Sequence, residues 1–125
     1  MNLFLDTHIL LWWLDDSPLL TEKARAAIMN IDNLIILSSA VIWEIIIKQS
    51  LGKLKIAQNF YDVIKKQGFE MLSITSDHAY AVGGLPSYHS DPFDRILIAQ
   101  AKLERLTMVT NDAIFKKYQI PLLTI

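Results

Sequence analysis

Four acidic residues lie where the sequence predicts that strands end or helices begin. They are Asp6, Glu44, Asp94 and Asp112. Asp6 closes a short apolar run typical of a buried strand, and Asp112 follows another such run. When parallel strands are joined by helices, the ends of the strands and the starts of the helices meet at one edge of the sheet. The sequence therefore predicts that four carboxylates, distant along the chain, share one edge.

These acids suggest a metal-dependent reaction. Carboxylates gathered within a few ångströms repel one another, and divalent cations can neutralise that repulsion. Oxygen ligands without cysteine or paired histidines favour Mg²⁺ or Mn²⁺ over zinc. Helix N-termini at the same edge suit both carboxylates and a phosphate. We therefore expect hydrolysis at phosphorus, with all four acids as metal ligands and catalytic residues.

Three of the acids also have a structural explanation. Asp6 and Asp112, and also Asp91, are suitable N-caps, because a short carboxylate accepts the free N–H groups of a first helical turn. Asp94 follows Asp91 by three residues, a spacing that resembles a capping box. Capping and catalysis both remain open for these positions.

Glu44 is harder to explain structurally. Its neighbours Val41–Trp43 and Ile45–Ile47 are all apolar, so the predicted helix is apolar on nearly every side. A buried carboxylate without a partner is costly. An i,i+4 pair with Lys48 is worth only about 0.2–0.5 kcal/mol. Metal ligation accounts better for this position.

Strands and helices alternate along the whole chain, which predicts one α/β domain over residues 1–125 with a parallel sheet covered on both faces. No repeat or flexible linker divides the sequence. The predicted strands are Asn2–Leu5, Leu34–Leu37, Glu70–Ile74, Thr107–Thr110 and Pro121–Ile125. The predicted helices cover Ile9–Leu14, Thr21–Ile31, residues 39 to about 50, Phe60–Lys66, Asp77–Val82, residues 91 to about 105, and Asp112–Tyr118.

The composition narrows the class of protein further. Hydrophobic residues make up 52% of the 125 residues, enough for a substantial core. Without cysteine there is no disulfide framework and no zinc–thiolate site. A net charge of −1 argues against a surface that binds polyanions all over. The longest purely apolar run, Ile9–Leu14, is too short to span a membrane. The absence of cysteine is compatible with the cytoplasm, which is the compartment that we expect.

Several motifs together resemble the PIN-domain fold, and most closely the VapC toxins of type II toxin–antitoxin systems. The motifs are Leu5–His8, Ser39–Glu44, Lys48 with Leu51–Leu54, His89–Ala101, and Thr110–Asp112. The resemblance implies a three-layer α/β/α fold with strand order 3-2-1-4-5. It also implies a metal-dependent endoribonuclease that uses Mg²⁺ or Mn²⁺. Asp6 and Asp94 would then be the principal ligands, with Glu44 and Asp112 completing the site.

Partners and further contacts follow from the same resemblance. It implies an RNA substrate, a cognate antitoxin and a homodimer. Thr7 and Ser39 offer hydroxyls near the acidic edge, although local capping is the favoured explanation for both. Lys48 and Arg95 are candidates for contacts with RNA phosphates, although such charges usually face solvent. The three histidines show no metal-ligand spacing, so we expect structural or surface roles for them.

Two other functions remain open at this point. One is a PIN-like module that binds RNA or an antitoxin without turnover. The other is a phosphotransfer receiver domain, which has a similar length and an acidic edge. A receiver needs adjacent acids after its first strand, and here that strand ends in the single acid Asp6. The complete set of four acids favours the nuclease over both alternatives.

Overall fold

The computed structural model describes residues 1–124, and within this range five strands alternate with helices. The strands are β1 (Asn2–Leu5), β2 (Leu34–Ser38), β3 (Glu70–Leu72), β4 (Thr107–Thr110) and β5 (Leu122–Thr124). The α-helices are α1 (Thr7–Leu14), α2 (Glu22–Met29), α3 (Ser39–Ser50), α4 (Phe60–Lys65), α5 (Ser76–Ala81) and α6 (Pro92–Glu104). Short 3₁₀ helices cover Val82–Gly84 and Ala113–Tyr118.

The strands form one parallel sheet in the order β3-β2-β1-β4-β5, flanked by helices, which confirms the predicted order and fold class. The central strand β1 pairs with both β2 and β4, so that Leu3 lies opposite Ile35 on one side and Thr107 on the other. Because all the pairings are parallel, the carboxyl ends of the strands lie at the same edge. This edge is where the sequence places the acids.

The core explains why the strands are apolar runs without alternation. Both faces of the central strands are covered, and Phe4 of β1 and Val109 of β4 have no solvent exposure. Helix α6 adds Leu97 and Ile98, which are also buried.

Among residues 1–124, every helix falls short of the length and apolar character that crossing a membrane requires.

Side-chain caps fix the starts of α1, α3 and α6. Asp6 caps α1 by accepting the Ile9 N–H at 2.9 Å, and Ser38 caps α3 by accepting the Ala40 N–H at 3.0 Å. Asp91 caps α6, in which Pro92 is the first helical residue. The capping explanation for Asp6 and Asp91 is therefore confirmed.

Some predicted boundaries were wrong. The segment after β4 is a 3₁₀ helix over Ala113–Tyr118, where we expected a helix over Asp112–Tyr118. A 3₁₀ helix rises further per residue, which suits the short return to Pro121 before β5. Strand β3 ends at Leu72 because its partner β2 ends opposite at Ser38. Residue 125, which we expected to end the last strand, lies outside the described residues.

A buried polar network ties α6 to the neighbouring elements. The Gln100 side chain is fully buried, and its Oε1 accepts the Ser38 hydroxyl at 2.6 Å. Its Nε2 lies 3.4 Å from the Ser73 carbonyl oxygen and 3.3 Å from His78 Nδ1. The amide thus joins the end of β2 to the segment around α5.

We expect Gln100→Leu to lower the free energy of unfolding by about 1–3 kcal/mol, because the buried Ser38 hydroxyl loses its acceptor. Denaturant unfolding measures the change. Gln49→Leu on the exposed side of α3 is the matched control and should stay within about 0.5 kcal/mol of the parent chain. Equal stabilities for the two variants would show that the network contributes nothing.

Candidate active site

A cleft of about 160 Å³ lies at the carboxyl edge of the sheet. All four predicted acids line it. The full lining is Asp6, Thr7, His8, Glu44, Lys48, Asp91, Asp94, Asp112 and Phe115. The structure therefore brings together acids that are up to 106 positions apart in the sequence (112 − 6). Their roles as metal ligands and catalytic groups stay predictions.

Asp6 follows the central strand β1 directly and is only 4% exposed. One carboxylate oxygen, Oδ1, caps α1, and the other accepts a short hydrogen bond from the Thr110 hydroxyl. Burial raises the pKa of the Asp6 carboxyl, although both hydrogen bonds act in the opposite direction. Removal from water therefore outweighs the local donors at this side chain.

Glu44 lies in α3 and is 6% exposed. Its Oε1 accepts the Thr7 hydroxyl at 2.6 Å, and its Oε2 lies 2.5 Å from Lys48 Nζ. The helix therefore tolerates this carboxylate because both of its oxygens have partners. The pair with Lys48 is formed, so the local and the catalytic explanations of Glu44 are compatible. The Lys48 side chain is 40% exposed, so its ammonium group has space to turn away from Glu44 into solvent.

Asp94 lies in the first turn of α6, where Oδ2 is 3.2 Å from His89 Nε2. Burial and then the charge of Asp91 raise the pKa of the Asp94 carboxyl from 3.8 to about 6. Hydrogen bonding and charge at His89 lower that pKa, and the charge of Glu44 raises it slightly. The Asp94 N–H does bond to Asp91, but its carboxylate faces His89 and does not complete a capping box.

Asp112 is exposed and caps the following 3₁₀ helix by accepting the Ile114 N–H at 3.0 Å. Its own N–H donates to Thr110 Oγ1 at 3.0 Å. The same hydroxyl donates to Asp6, so Thr110 links the two acids. Asp112 and Asp6 line the same cleft, and the negative charge of Asp112 adds to the effect of burial in raising the pKa of Asp6.

Two predicted substrate-binding residues, Ser39 and Arg95, are not part of the cleft lining. The Ser39 hydroxyl does not cap α3, because Ser38 does so, and Ser39 is the first helical residue. The Arg95 guanidinium donates to the Tyr118 hydroxyl and to four backbone carbonyls, those of Val82, Leu85, Pro86 and His89. The guanidinium thus holds a loop in place, and a contact of Arg95 with RNA phosphates stays a prediction.

Three residues beside the acids, His8, His89 and Thr110, were not among the predicted site residues. His8 lines the cleft and its charge lowers the pKa of Asp6, and His89 bonds to Asp94. Thr110 ends β4 beside β1, one residue beyond the pairing of Leu5 with Val109. The predicted strand order contained the signal for Thr110, because it places β4 next to the strand that ends at Asp6.

The donor set suits a hard divalent cation. Among residues 1–124, no three histidine or acidic side chains already stand close enough to hold a metal ion. The available donors are carboxylate oxygens, which Mg²⁺ and Mn²⁺ prefer. Burial raises the pKa values of Asp6 and Asp94, and a bound divalent cation would favour the charged forms of both carboxylates. The residues therefore fit such an ion, provided that Lys48 leaves Glu44.

The comparisons with known proteins agree with this fold. The sequence profile of the PIN domain matches residues 3–121, so the chain belongs to the PIN domain family. No curated protein sequence matches the chain.

Solved structures with the same fold include toxin–antitoxin complexes. A chain of VapBC2 from Rickettsia felis, bound to a DNA fragment from its promoter, has a TM-score of 0.76 and 20% identity and covers 100% of this chain and 99% of its own. A toxin–antitoxin complex from Klebsiella pneumoniae gives 0.65 and 20%, covering 99% and 97%. The PIN domain endonuclease Utp24 gives 0.56 and 18%, covering 99% and 84%. At these identities the likeness establishes the fold.

We expect Asp94→Asn to raise the melting temperature in EDTA by roughly 3–5 °C, which corresponds to about 1 kcal/mol in a chain of this size. The substitution removes a negative charge from a crowded cleft and keeps an oxygen that can accept from His89. Exposed Asp32→Asn, between α2 and β2, is the matched control and should leave the melting temperature nearly unchanged. A lower melting temperature for Asp94→Asn would contradict a repulsive cleft.

The stabilising effect of Asp94→Asn should depend on pH. Since the folded pKa of Asp94 lies above its usual 3.8, the folded state binds more protons than the unfolded state between about pH 4 and 6. Protonated Asp94 therefore adds to the free energy of unfolding of the parent chain below this window. That stabilisation is lost as the pH rises through the window and the carboxyl ionises. Unfolding measured in EDTA should show a gap between variant and parent that widens from about pH 4.5 to 7. A constant gap would refute the raised pKa.

Proposed function

We propose that this chain is a metal-dependent endoribonuclease and the toxin of a toxin–antitoxin pair. One observation carries the proposal: four carboxylates from separate elements line one cleft, and burial raises the pKa of two of them. Membership of the PIN domain family supports it. The shared fold with toxin–antitoxin complexes and with a PIN domain endonuclease supports it further.

Asp6 and Asp94 are proposed as the principal ligands of Mg²⁺ or Mn²⁺, with Glu44 and Asp112 completing the site directly or through water. A bound divalent ion would stabilise negative charge on the phosphate and make a water molecule more acidic. Asp6 suits this role because its position is fixed by the cap of α1 and by Thr110. Carboxylates oriented by such hydrogen bonds lose little freedom on binding an ion.

Glu44 or Asp112 is proposed to orient the attacking water and to accept its proton. In Glu44 the Thr7 hydroxyl holds Oε1, so Oε2 becomes available once Lys48 turns away. The Lys48 ammonium is then free to contact a phosphate oxygen of the RNA. A water nucleophile leaves a 5′-phosphate on the product and does not require the RNA 2′-hydroxyl.

The proposed partners are an RNA substrate, a cognate antitoxin and a second copy of this chain, with the cytoplasm as the compartment. Apolar side chains at the surface support partner binding. Trp43 and Ile46 of α3 and Tyr80 of α5 are largely exposed, and Trp43 packs edge-on against Phe93. We propose that a second copy of this chain covers such exposed apolar side chains.

We expect Asp6→Asn and Asp94→Asn to reduce RNA cleavage at least about 100-fold, because losing a metal ligand removes several kcal/mol of transition-state stabilisation. Cleavage of total RNA is measured with Mn²⁺ and with EDTA, and the product ends are tested for a 5′-phosphate. Asp32→Asn, purified in parallel, should cleave like the parent chain.

The controls separate the proposal from its alternatives. If Asp94→Asn cleaves as fast as the parent chain, the activity does not come from this cleft and a contaminating nuclease accounts for it. If the parent chain binds RNA but does not cleave it with either metal ion, the chain is a binding module without turnover. Cleavage that persists in EDTA would contradict the metal dependence.

A further inference from the structure

A chain of hydrogen bonds connects Arg95 to Asp94 through two other side chains. Arg95 Nη1 lies 3.2 Å from the Tyr118 hydroxyl oxygen, and that oxygen lies 2.6 Å from His89 Nδ1. The other ring nitrogen, His89 Nε2, lies 3.2 Å from Asp94 Oδ2. The path therefore begins at a fixed cation and ends at a carboxylate of the cleft.

The donors and acceptors along this path fix the tautomer of a neutral His89 ring. An arginine guanidinium can only donate, so the Tyr118 oxygen accepts from Arg95. The hydroxyl of the buried Tyr118 also carries a proton that needs an acceptor, and His89 Nδ1 is the acceptor within hydrogen-bond distance, so Nδ1 is unprotonated. The proton of the neutral ring therefore resides on Nε2, which donates to Asp94 Oδ2. The opposite tautomer would place an unprotonated Nε2 against an ionised carboxylate.

Burial and local contacts hold this path in place. The Tyr118 side chain is 1% exposed, and its ring packs edge-on against the imidazole of His89 at 5.4 Å between centroids. Arg95 also donates to the backbone carbonyl of His89 itself, at 3.3 Å, and to that of Pro86 at 2.8 Å. The same guanidinium thus fixes both the loop that carries His89 and, through Tyr118, the proton on its ring.

We infer that His89 is a positioning residue for Asp94, and that Arg95 selects the required tautomer of His89 through Tyr118. The Nε2–H group holds Oδ2 of Asp94 and leaves Oδ1 for the cleft. A carboxylate that acts as a ligand or orients a substrate gains from such support, because its rotation is restricted before binding. The consequence for metal binding rests on the proposed function, whereas the tautomer does not.

The tautomer is tested in the metal-free protein by NMR of the imidazole nitrogens at about pH 8, above the ordinary pKa of histidine. His89→Gln identifies the signal of His89. We expect the proton on Nε2 in the parent chain and a mixture of tautomers in Tyr118→Phe. Tyr88→Phe is the matched control, because the Tyr88 ring packs against Tyr118 but its hydroxyl takes no part in this path. A proton on Nδ1 in the parent chain, or no change in Tyr118→Phe, would overturn the inference.

The positioning role is tested by Mn²⁺ binding, measured by calorimetry on variants that give a folded NMR spectrum. His89→Ala and Tyr118→Phe should weaken binding by about 10–100-fold. His89→Gln, whose amide N–H can replace Nε2–H, should restore part of the affinity, and Tyr88→Phe should bind like the parent chain. Equal affinities for all four variants would refute the role. A parent chain that binds no Mn²⁺ would refute the proposed function, while the NMR result would still decide the tautomer.

Discussion

The central physical constraint in this molecule is the accumulation of negative charge in a poorly solvated cleft. A parallel sheet directs the ends of its strands to one edge, and helices that begin there require acidic or hydroxyl caps. The caps Asp6 and Asp112 therefore lie beside Glu44 and Asp94 in a small space. Burial raises the pKa of Asp6 even though its oxygens accept two hydrogen bonds. The topology that builds the site is thus also the source of its electrostatic cost.

Capping and catalysis compete less than the sequence suggests. A carboxylate has two oxygens, and a cap uses one of them. Asp6 caps α1 through Oδ1 and directs Oδ2 towards Thr110, whose hydroxyl oxygen also accepts the N–H of Asp112. Because the cap fixes the side chain, the second oxygen is already oriented. A structural role therefore does not argue against a functional one when the acid lies at the edge of a parallel sheet.

The sequence predicted the parts of the fold that depend on apolar patterning and missed those that depend on individual side chains. The strand order and the shared edge of the acids follow from short apolar runs in an alternating pattern and from the family resemblance. The relation between His89 and Asp94 follows neither from periodicity nor from spacing. It depends on a loop fixed by Arg95 and on a buried tyrosine in Ala113–Tyr118, a segment wrongly expected to be α-helical.

Lys48 and Arg95 are both close in sequence to an acid of the cleft, but their side chains make different contacts. Arg95 adjoins Asp94 in the chain, but its guanidinium is occupied by loop carbonyls and by Tyr118, and it reaches Asp94 only through His89. Lys48 is one helical turn from Glu44 and contacts it directly. The partly exposed cation of Lys48 therefore contacts one carboxylate directly, whereas the cation of Arg95 is held by the loop and is linked to the other through Tyr118 and His89. Burial and the charge of Asp91 raise the pKa of Asp94 to about 6, and the neighbour that acts in the opposite direction is His89, through its hydrogen bond and its charge.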